Sequence, residues 1–226
     1  MTIFNVLVVT YNGEASITRL INHLLKAGRN YQLNIVVVDN DSHDATVALL
    51  KKFHLNNLNI IRNEMNYGIA RAFNQGMEYF YNLNAPWVLI LDQDSYVAEN
   101  FFSVYEKVFT ALTKEPCDLV AAICSNPASE KANTIPHQPY QWNGSAFYNN
   151  PNNTKVMCGL PVVASSISSG TYYKTEVVIN LGGFREDYFI DFVDHEFHLK
   201  LLTKGWFMLW EQKANIEHNL GLQQHN

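Results

Sequence analysis

Short continuous apolar runs alternate with helix-spaced apolar positions along the first part of the chain. Ile3–Val9 is the first run; it is rich in β-branched residues and ends at Thr10-Tyr11-Asn12-Gly13. Ile17, Leu20, Ile21, Leu24 and Leu25 then recur at helical spacing. Asn34–Val38 is a second run, ending at Asp39-Asn40. After it, Ser42 is placed to cap a helix that turns Ala45, Ala48, Leu49 and Phe53 inward. Leu58–Ile61 is a third run, and a helix starting near Gly68 gathers Ile69, Ala72, Phe73, Gly76, Met77 and Phe80 on one face. Trp87–Leu91 is a fourth run and leads into Asp92-Gln93-Asp94. Apolar runs without alternation are expected of parallel strands covered on both faces. The pattern therefore predicts an α/β fold: a Rossmann-like, mostly parallel central sheet flanked by helices, with right-handed crossovers.

Farther along, the regularity weakens. Phe101–Leu112 reads as an amphipathic helix and Leu119–Cys124 as a buried strand. Residues 125–160 are rich in Asn, Pro and Ser and read as loops and short ribbons. Periodicity returns at Val162–Thr171, followed by a helix over 191–204 that closes at Gly205. Trp206–Trp210 and Asn215–His218 read as two further short strands. This part predicts a smaller, mixed C-terminal portion.

Composition narrows the options. A chain of 226 residues, 47% hydrophobic, is long enough to bury one sizeable core, so one domain over 1–226 is expected. The net charge of −5 speaks against a general nucleic-acid binder. Cys117, Cys124 and Cys158 are odd in number and lack CxxC spacing, so reduced thiols in a cytoplasmic protein are expected. The first residues carry no basic segment and are interrupted by Asn5, so no signal peptide is expected. No apolar run approaches the ~20 residues of a membrane span.

In an open α/β sheet, ligands bind at the carboxyl ends of the strands. Polar residues follow three of the four runs there: Thr10-Tyr11-Asn12, Asp39, and Asp92 with Asp94. Turns favour Asn, Asp and Gly on their own account, so one such site would mean little. Three at one edge of one sheet point to a ligand. The turn after the first run has a single glycine, which excludes GxGxxG, and GxxxxGK[ST] is absent. Two carboxylates two residues apart at the end of a buried strand can hold a hard divalent cation, which in turn could neutralise a departing diphosphate.

These segments resemble family 2 glycosyltransferases with the GT-A fold. The resemblance is carried by Val8-Val9-Thr10-Tyr11-Asn12, Val38-Asp39-Asn40-Asp41-Ser42-His43-Asp44, Asn66-Tyr67-Gly68-Ile69-Ala70 and Asn74-Gln75-Gly76. It continues through Leu91-Asp92-Gln93-Asp94-Ser95, Ser169-Gly170, Leu181-Gly182-Gly183-Phe184, Phe189-Ile190-Asp191-Phe192-Val193-Asp194-His195-Glu196 and His218. Asp-Gln-Asp-Ser with Phe-Ile-Asp-Phe-Val-Asp downstream is similar to bacterial rhamnosyltransferases that use dTDP-L-rhamnose.

The resemblance implies roles. Thr10, Tyr11, Asn12, Asn66 and Gly68 would line the nucleotide, and Asp39 would accept a hydrogen bond from the base. Asp92 would face the ribose or the metal, Mg²⁺ or Mn²⁺, with Asp94 and His218 completing the metal side. Gly170 would lie beneath the acceptor. Residues 1–95 would form the nucleotide-binding half, and 96–226 the acceptor and catalytic half. Inverting transfer needs one base for the acceptor hydroxyl; Asp194 matches the family's catalytic aspartate. Asp191 competes for that role, and either carboxylate could instead serve the helix macrodipole. The implied partners are a nucleoside diphosphate sugar and a glycan or lipid-linked acceptor hydroxyl. A UDP-hexose or UDP-N-acetylhexosamine donor is the alternative to dTDP-rhamnose, and a catalytically silent nucleotide-sugar binding module is the alternative to an enzyme. The implied setting is the cytoplasm, at the inner face of the membrane, with a homo-oligomer as one option. Two positions depart from the family: Phe73 stands where many members have Arg, with Arg71 nearby, and Lys200 stands where Arg is usual.

Overall fold

The computed structural model describes residues 2–114, 117–128, 139–149 and 155–218. Four parallel strands form its first part: β1 (Ile3–Thr10), β2 (Gln32–Asp39), β3 (Leu58–Arg62) and β4 (Trp87–Asp92). The crossovers are α1 (Ile17–Ala27), α2 (Thr46–Lys51) and α3 (Ile69–Asn82). The face predicted for α1 is the buried one, with Ile17, Leu20, Ile21 and Leu24 fully inside and Leu25 packed beside them. Burial of each such side chain is worth about 1.5–3 kcal/mol. In α2 the expectation needs correcting. Thr46 and Leu50 point inward, Leu49 and Phe53 pack at the side, and Ala45 and Ala48 are exposed. Ser42 does not cap this helix; its Oγ accepts the Asn12 N–H at 2.8 Å.

The strand order is β3-β2-β1-β4, so the chain steps one way from β1 to β3 and returns to the other side of β1 for β4. That reversal opens a crevice at the carboxyl ends of β1 and β4. A short strand β5 (Ser95–Val97) and helix α4 (Phe101–Leu112) follow. The remaining strands are β6 (Val120–Ala128), β7 (Gln141–Trp142), β8 (Phe147–Tyr148), β9 (Val156–Met157), β10 (Leu160–Val163), β11 (Thr171–Lys174) and β12 (Phe207–His218). Helices α5 (Thr175–Asn180) and α6 (Val193–Thr203) lie between the last two.

The sheet continues past β4 as β11-β6-β12-β10-β9, with β5 paired to β12, and becomes mixed. β11 runs antiparallel to β4, so the start of β11 meets the carboxyl end of β4. The mostly parallel sheet with a mixed C-terminal part is thus as predicted. The two strands read at 206–210 and 215–218 are one strand, β12, whose pairing to β6 shifts register between Trp210 and Asn215. The run read across 162–171 divides into the end of β10 and the start of β11. β7 and β8 form a separate hairpin, tied to the site by a bridge between Tyr140 and Ser165.

The thiol expectation is overturned. Cys117 and Cys158 form a disulfide with Cα atoms 6.6 Å apart, and only Cys124 is free. Their separation of 41 residues carries no local signal. The fold joins them because β10 lies beside β12 and β12 beside β6, which brings the β9–β10 turn to the segment before β6. The thiol argument for a cytoplasmic setting falls with it. Burial pushes the Cys124 thiol up to about 12, so it packs as an inert apolar group. Among the described residues no helix is long and apolar enough to cross a membrane.

Candidate functional site

A cavity of about 630 Å³ opens at the crevice between β1 and β4. Thr10 and Tyr11 reach it from the end of β1, and Asp92, Gln93 and Asp94 from the end of β4. Asn66 and Gly68 line it ahead of α3, while Asp191 and Asp194 close it from the start of α6. Ser168 and Ser169 enter where β11 begins, because an antiparallel strand starts at the edge where parallel strands end.

Gln93 ties the two strand ends together. Its Oε1 accepts the Thr10 hydroxyl at 2.6 Å and the Tyr11 N–H at 2.9 Å. Gly13 is required here: a Cβ would meet both Gln93 Oε1 and Thr10 Oγ1 at 2.5 Å. The single glycine of this turn therefore serves strand-end packing. Ser169 joins the same junction, its Oγ accepting the Asp92 N–H at 3.0 Å and donating to Ser95 Oγ at 2.7 Å.

Of the other predicted residues, Asn12 and Asp39 do not line the cavity. Asn12 sits at φ 49°, and its Oδ1 accepts the His43 N–H, so it shapes the β1–α1 turn. Asp39 is fully buried at the end of β2. Its Oδ2 accepts the Ser42 N–H at 3.2 Å, with the Arg62 guanidinium 3.8 Å away. Its Oδ1 is buried without a partner. An unpaired buried carboxylate oxygen costs stability unless a ligand donor meets it. Gly170 also lies off the cavity, at φ 81°, where a Cβ would strike Ser125 Oγ and Ile216. His218 pairs by its backbone with Ser95, next to Asp94; its side chain lies outside the described atoms. Phe73 is buried, and Arg71 stacks on Tyr67 at 4.1 Å instead of reaching the cavity.

Helix α6 begins two residues later than predicted, which leaves Asp191 in the preceding loop and Asp194 in the first turn. Asp194 Oδ2 accepts the Ser168 N–H at 3.3 Å, and Oδ1 accepts the His195 N–H at 2.8 Å. The loop is held by the Ile69 N–H, which donates to Phe189 O at 2.8 Å. Gly68, at φ 85°, is obligatory beside it, since a Cβ would sit 2.6 Å from that carbonyl.

Several contributors escaped the sequence reading. Gln93 and Ser169 were read only as parts of motifs, without roles of their own, and Ser168 was passed over, as was the buried amide chain Gly68–Asn40–Asn63–Gln75 that fastens β2 and β3 to α3. A Ser at a strand start or an Asn after a strand carries no distinguishing pattern.

Asp92 and Asp94 offer hard oxygen donors in one cavity. Among the described residues there is no group of three or more His, Cys, Asp or Glu that could enclose a metal alone. Two carboxylates fit a divalent ion that takes its remaining ligands from phosphate oxygens and water.

The family model for Glycosyl transferase family 2 matches residues 5–181, from β1 through the end of α5. The chain belongs to this family. It is 30% identical over 203 residues to the dTDP-rhamnosyl transferase RfbF of Shigella flexneri, covering 88% of this chain and 62% of that protein. Among solved structures, the S. aureus TarS fragment 1–349 in complex with UDP-GlcNAc superposes with a TM-score of 0.71 at 19% identity. That match covers 98% of this chain and 60% of the fragment. The Pyrobaculum calidifontis mannosyltransferase PcManGT, in complex with GDP-Man and Mn²⁺, superposes with a TM-score of 0.68 at 16% identity. It is covered over 58%, against 98% of this chain. The chain thus spans about three fifths of the length of these relatives. The fold is GT-A.

Proposed function

We propose that this family 2 chain transfers L-rhamnose from dTDP-rhamnose, with inversion, to a hydroxyl of a surface glycan or lipid-linked acceptor. The observation that carries the reading is one cavity with two carboxylate pairs, Asp92 and Asp94 on the β4 side and Asp191 and Asp194 on the α6 side. Residues 1–95 supply the donor half and 96–226 the acceptor half. Similarity to RfbF supports rhamnose as the sugar.

In this reading Thr10 and Tyr11, locked by Gln93, hold the nucleotide. Asp39, buried off the cavity wall, acts indirectly by accepting the Ser42 N–H at the end of β2. Asp92 and Asp94, with His218 adjoining, hold Mg²⁺ or Mn²⁺, which when bound neutralises the leaving diphosphate. The Mn²⁺ in the PcManGT complex supports that assignment. Asp194, oriented by the Ser168 N–H, takes the acceptor hydroxyl proton as that oxygen attacks the anomeric carbon. Asp191 supports the loop on the acceptor side.

The test measures dTDP release from dTDP-L-rhamnose in Mn²⁺, beside UDP-glucose and UDP-N-acetylglucosamine. Faster turnover of the dTDP-sugar is expected. Preference for a UDP-sugar would discard rhamnose, and binding without any turnover would favour a silent binding module.

A further inference from the structure

A cluster of rings lies beside the α6 start, whose Asp194 lines the cavity. The β7–β8 hairpin brings Trp142 and Phe147 edge to face, with centroids 5.1 Å apart. Around the His195 imidazole, Phe147 lies at 5.4 Å, Tyr140 at 5.6 Å and Phe192 at 6.2 Å. Phe192 is 68% exposed, and Trp142, Phe147 and His195 are half-buried. The hairpin stands outside the main sheet, and His195 directly follows Asp194.

The hydrogen bonds behind this cluster fix the position of the His195 ring. The Ser166 N–H donates to His198 Nδ1 at 3.4 Å, so that nitrogen is an acceptor. Ser165 Oγ lies 3.1 Å from the same atom and 2.6 Å from His195 Nδ1, so one hydroxyl bridges the two imidazoles. His198 carries its own proton on Nε2 and donates to the Tyr173 hydroxyl oxygen at 2.7 Å. Ser165, His198 and Tyr173 are all buried, so the chain is held from inside. It fixes the His195 ring through Nδ1 and leaves Nε2 on the far side of the ring from Ser165.

We propose that Tyr140, Trp142, Phe147, Phe192 and His195 form the subsite for the sugar ring of the acceptor. The ring faces pack on the apolar C–H face of a pyranose, and His195 Nε2 hydrogen-bonds one of its hydroxyls. This rests on the transferase reading above and names its acceptor class: a pyranose-ended glycan. A few convergent polar groups on an apolar, aromatic floor are the usual construction of a small-ligand site. A bare lipid chain on the same rings would leave the oriented Nε2 unpaired. Adjacency to Asp194 puts the occupant's hydroxyls at the proposed base.

The experiment titrates methyl α-L-rhamnopyranoside and methyl β-D-N-acetylglucosaminide into the protein without nucleotide and follows the His195 imidazole by NMR. At least one glycoside should shift His195 in the wild type. Loss of one aromatic contact in Phe147→Ala should weaken that binding by about tenfold. Phe192→Ala, at an exposed position, should act the same way if the hairpin variant fails to fold. His195→Phe keeps a ring and should lose the glycoside while retaining stabilisation by dTDP with Mn²⁺. Glycoside shifts confined to Tyr11 and Asp94, or no shift of any group, would overturn the subsite. So would His195 shifts that follow protein concentration alone, because a second copy would then cover the rings. Glycoside binding at His195 with no stabilisation by dTDP would support the subsite and count against the nucleotide-sugar reading.

Discussion

The two parts of the sheet meet at one cavity but are built differently. In β3-β2-β1-β4 every strand is parallel and each crossover carries one helix, so the polar turns fall at one edge by topology alone. In β11-β6-β12-β10 neighbouring strands are far apart in sequence: Thr171 faces Cys124, and Trp210 faces the same residue from the other side. The regular part offers strand-end polar groups for a nucleotide. The irregular part delivers single loops, at 167–170 and 189–195, to the same edge. In the proposed reading this becomes a division of labour, with donor binding on the parallel side and chemistry and acceptor on the mixed side.

The largest effect should come from the mixed side. Asp194→Asn keeps shape and removes the proton acceptor, so transfer should fall about 10²–10⁴-fold. Stabilisation by dTDP-rhamnose should persist, and Asp191→Asn should cost less. Initial-rate assays of both variants decide this. If Asp191→Asn abolishes transfer while Asp194→Asn keeps it, the base has been assigned to the wrong carboxylate.

His198 tests the mixed side through stability. Burial pushes its pKa down to about 4, with Asp194 opposing and His195 adding to the shift. The unfolded chain titrates this group near 6.5, so below that pH the unfolded state binds the proton more readily. The contribution is complete above about pH 6.5 and is lost as pH falls through 4, in all about 3 kcal/mol. Denaturation midpoints across that window should fall less steeply in His198→Gln than in the wild type. Equal slopes would show that His198 does not titrate as its burial requires.

A smaller effect belongs to the parallel side. Gln93→Ala removes the clasp between Thr10 and Tyr11, two hydrogen bonds worth about 0.5–1.5 kcal/mol each. Donor dissociation constants, measured by calorimetry, should rise about tenfold with kcat little changed. A fall in kcat at unchanged affinity would move Gln93 out of the donor half.

How far the sequence could be read follows the same division. Four apolar runs and the face of α1 were legible because parallel strands and amphipathic helices imprint their periods locally. The face of α2 was misread because that helix spans only six residues and buries Thr46. β5 is three residues long, and the Cys117–Cys158 bond depends on strand order, which no local period encodes. Asp92 and Asp94 stood out as acids at a strand end, Asp191 and Asp194 came through the family resemblance, and all four line the cavity. Gln93 acts through its side-chain amide, Ser168 through its N–H and Ser169 through its hydroxyl, contacts that depend on three-dimensional geometry and leave no composition signal. Asp39 was found, but its burial away from the cavity wall appears only in three dimensions.

The central claim is that the end of β4 binds a nucleoside diphosphate sugar through a divalent ion on the parallel side. Thermal unfolding of wild type and Asp94→Ala, with dTDP-rhamnose in Mn²⁺ or in EDTA, tests it most directly. At 100 times its dissociation constant, the donor should stabilise the wild type in Mn²⁺ by about 2.7 kcal/mol, and by clearly less in EDTA. Asp94→Ala should unfold like the wild type in EDTA and lose the Mn²⁺-dependent increment. A folded Asp94→Ala protein with the full wild-type increment in Mn²⁺ would contradict the account.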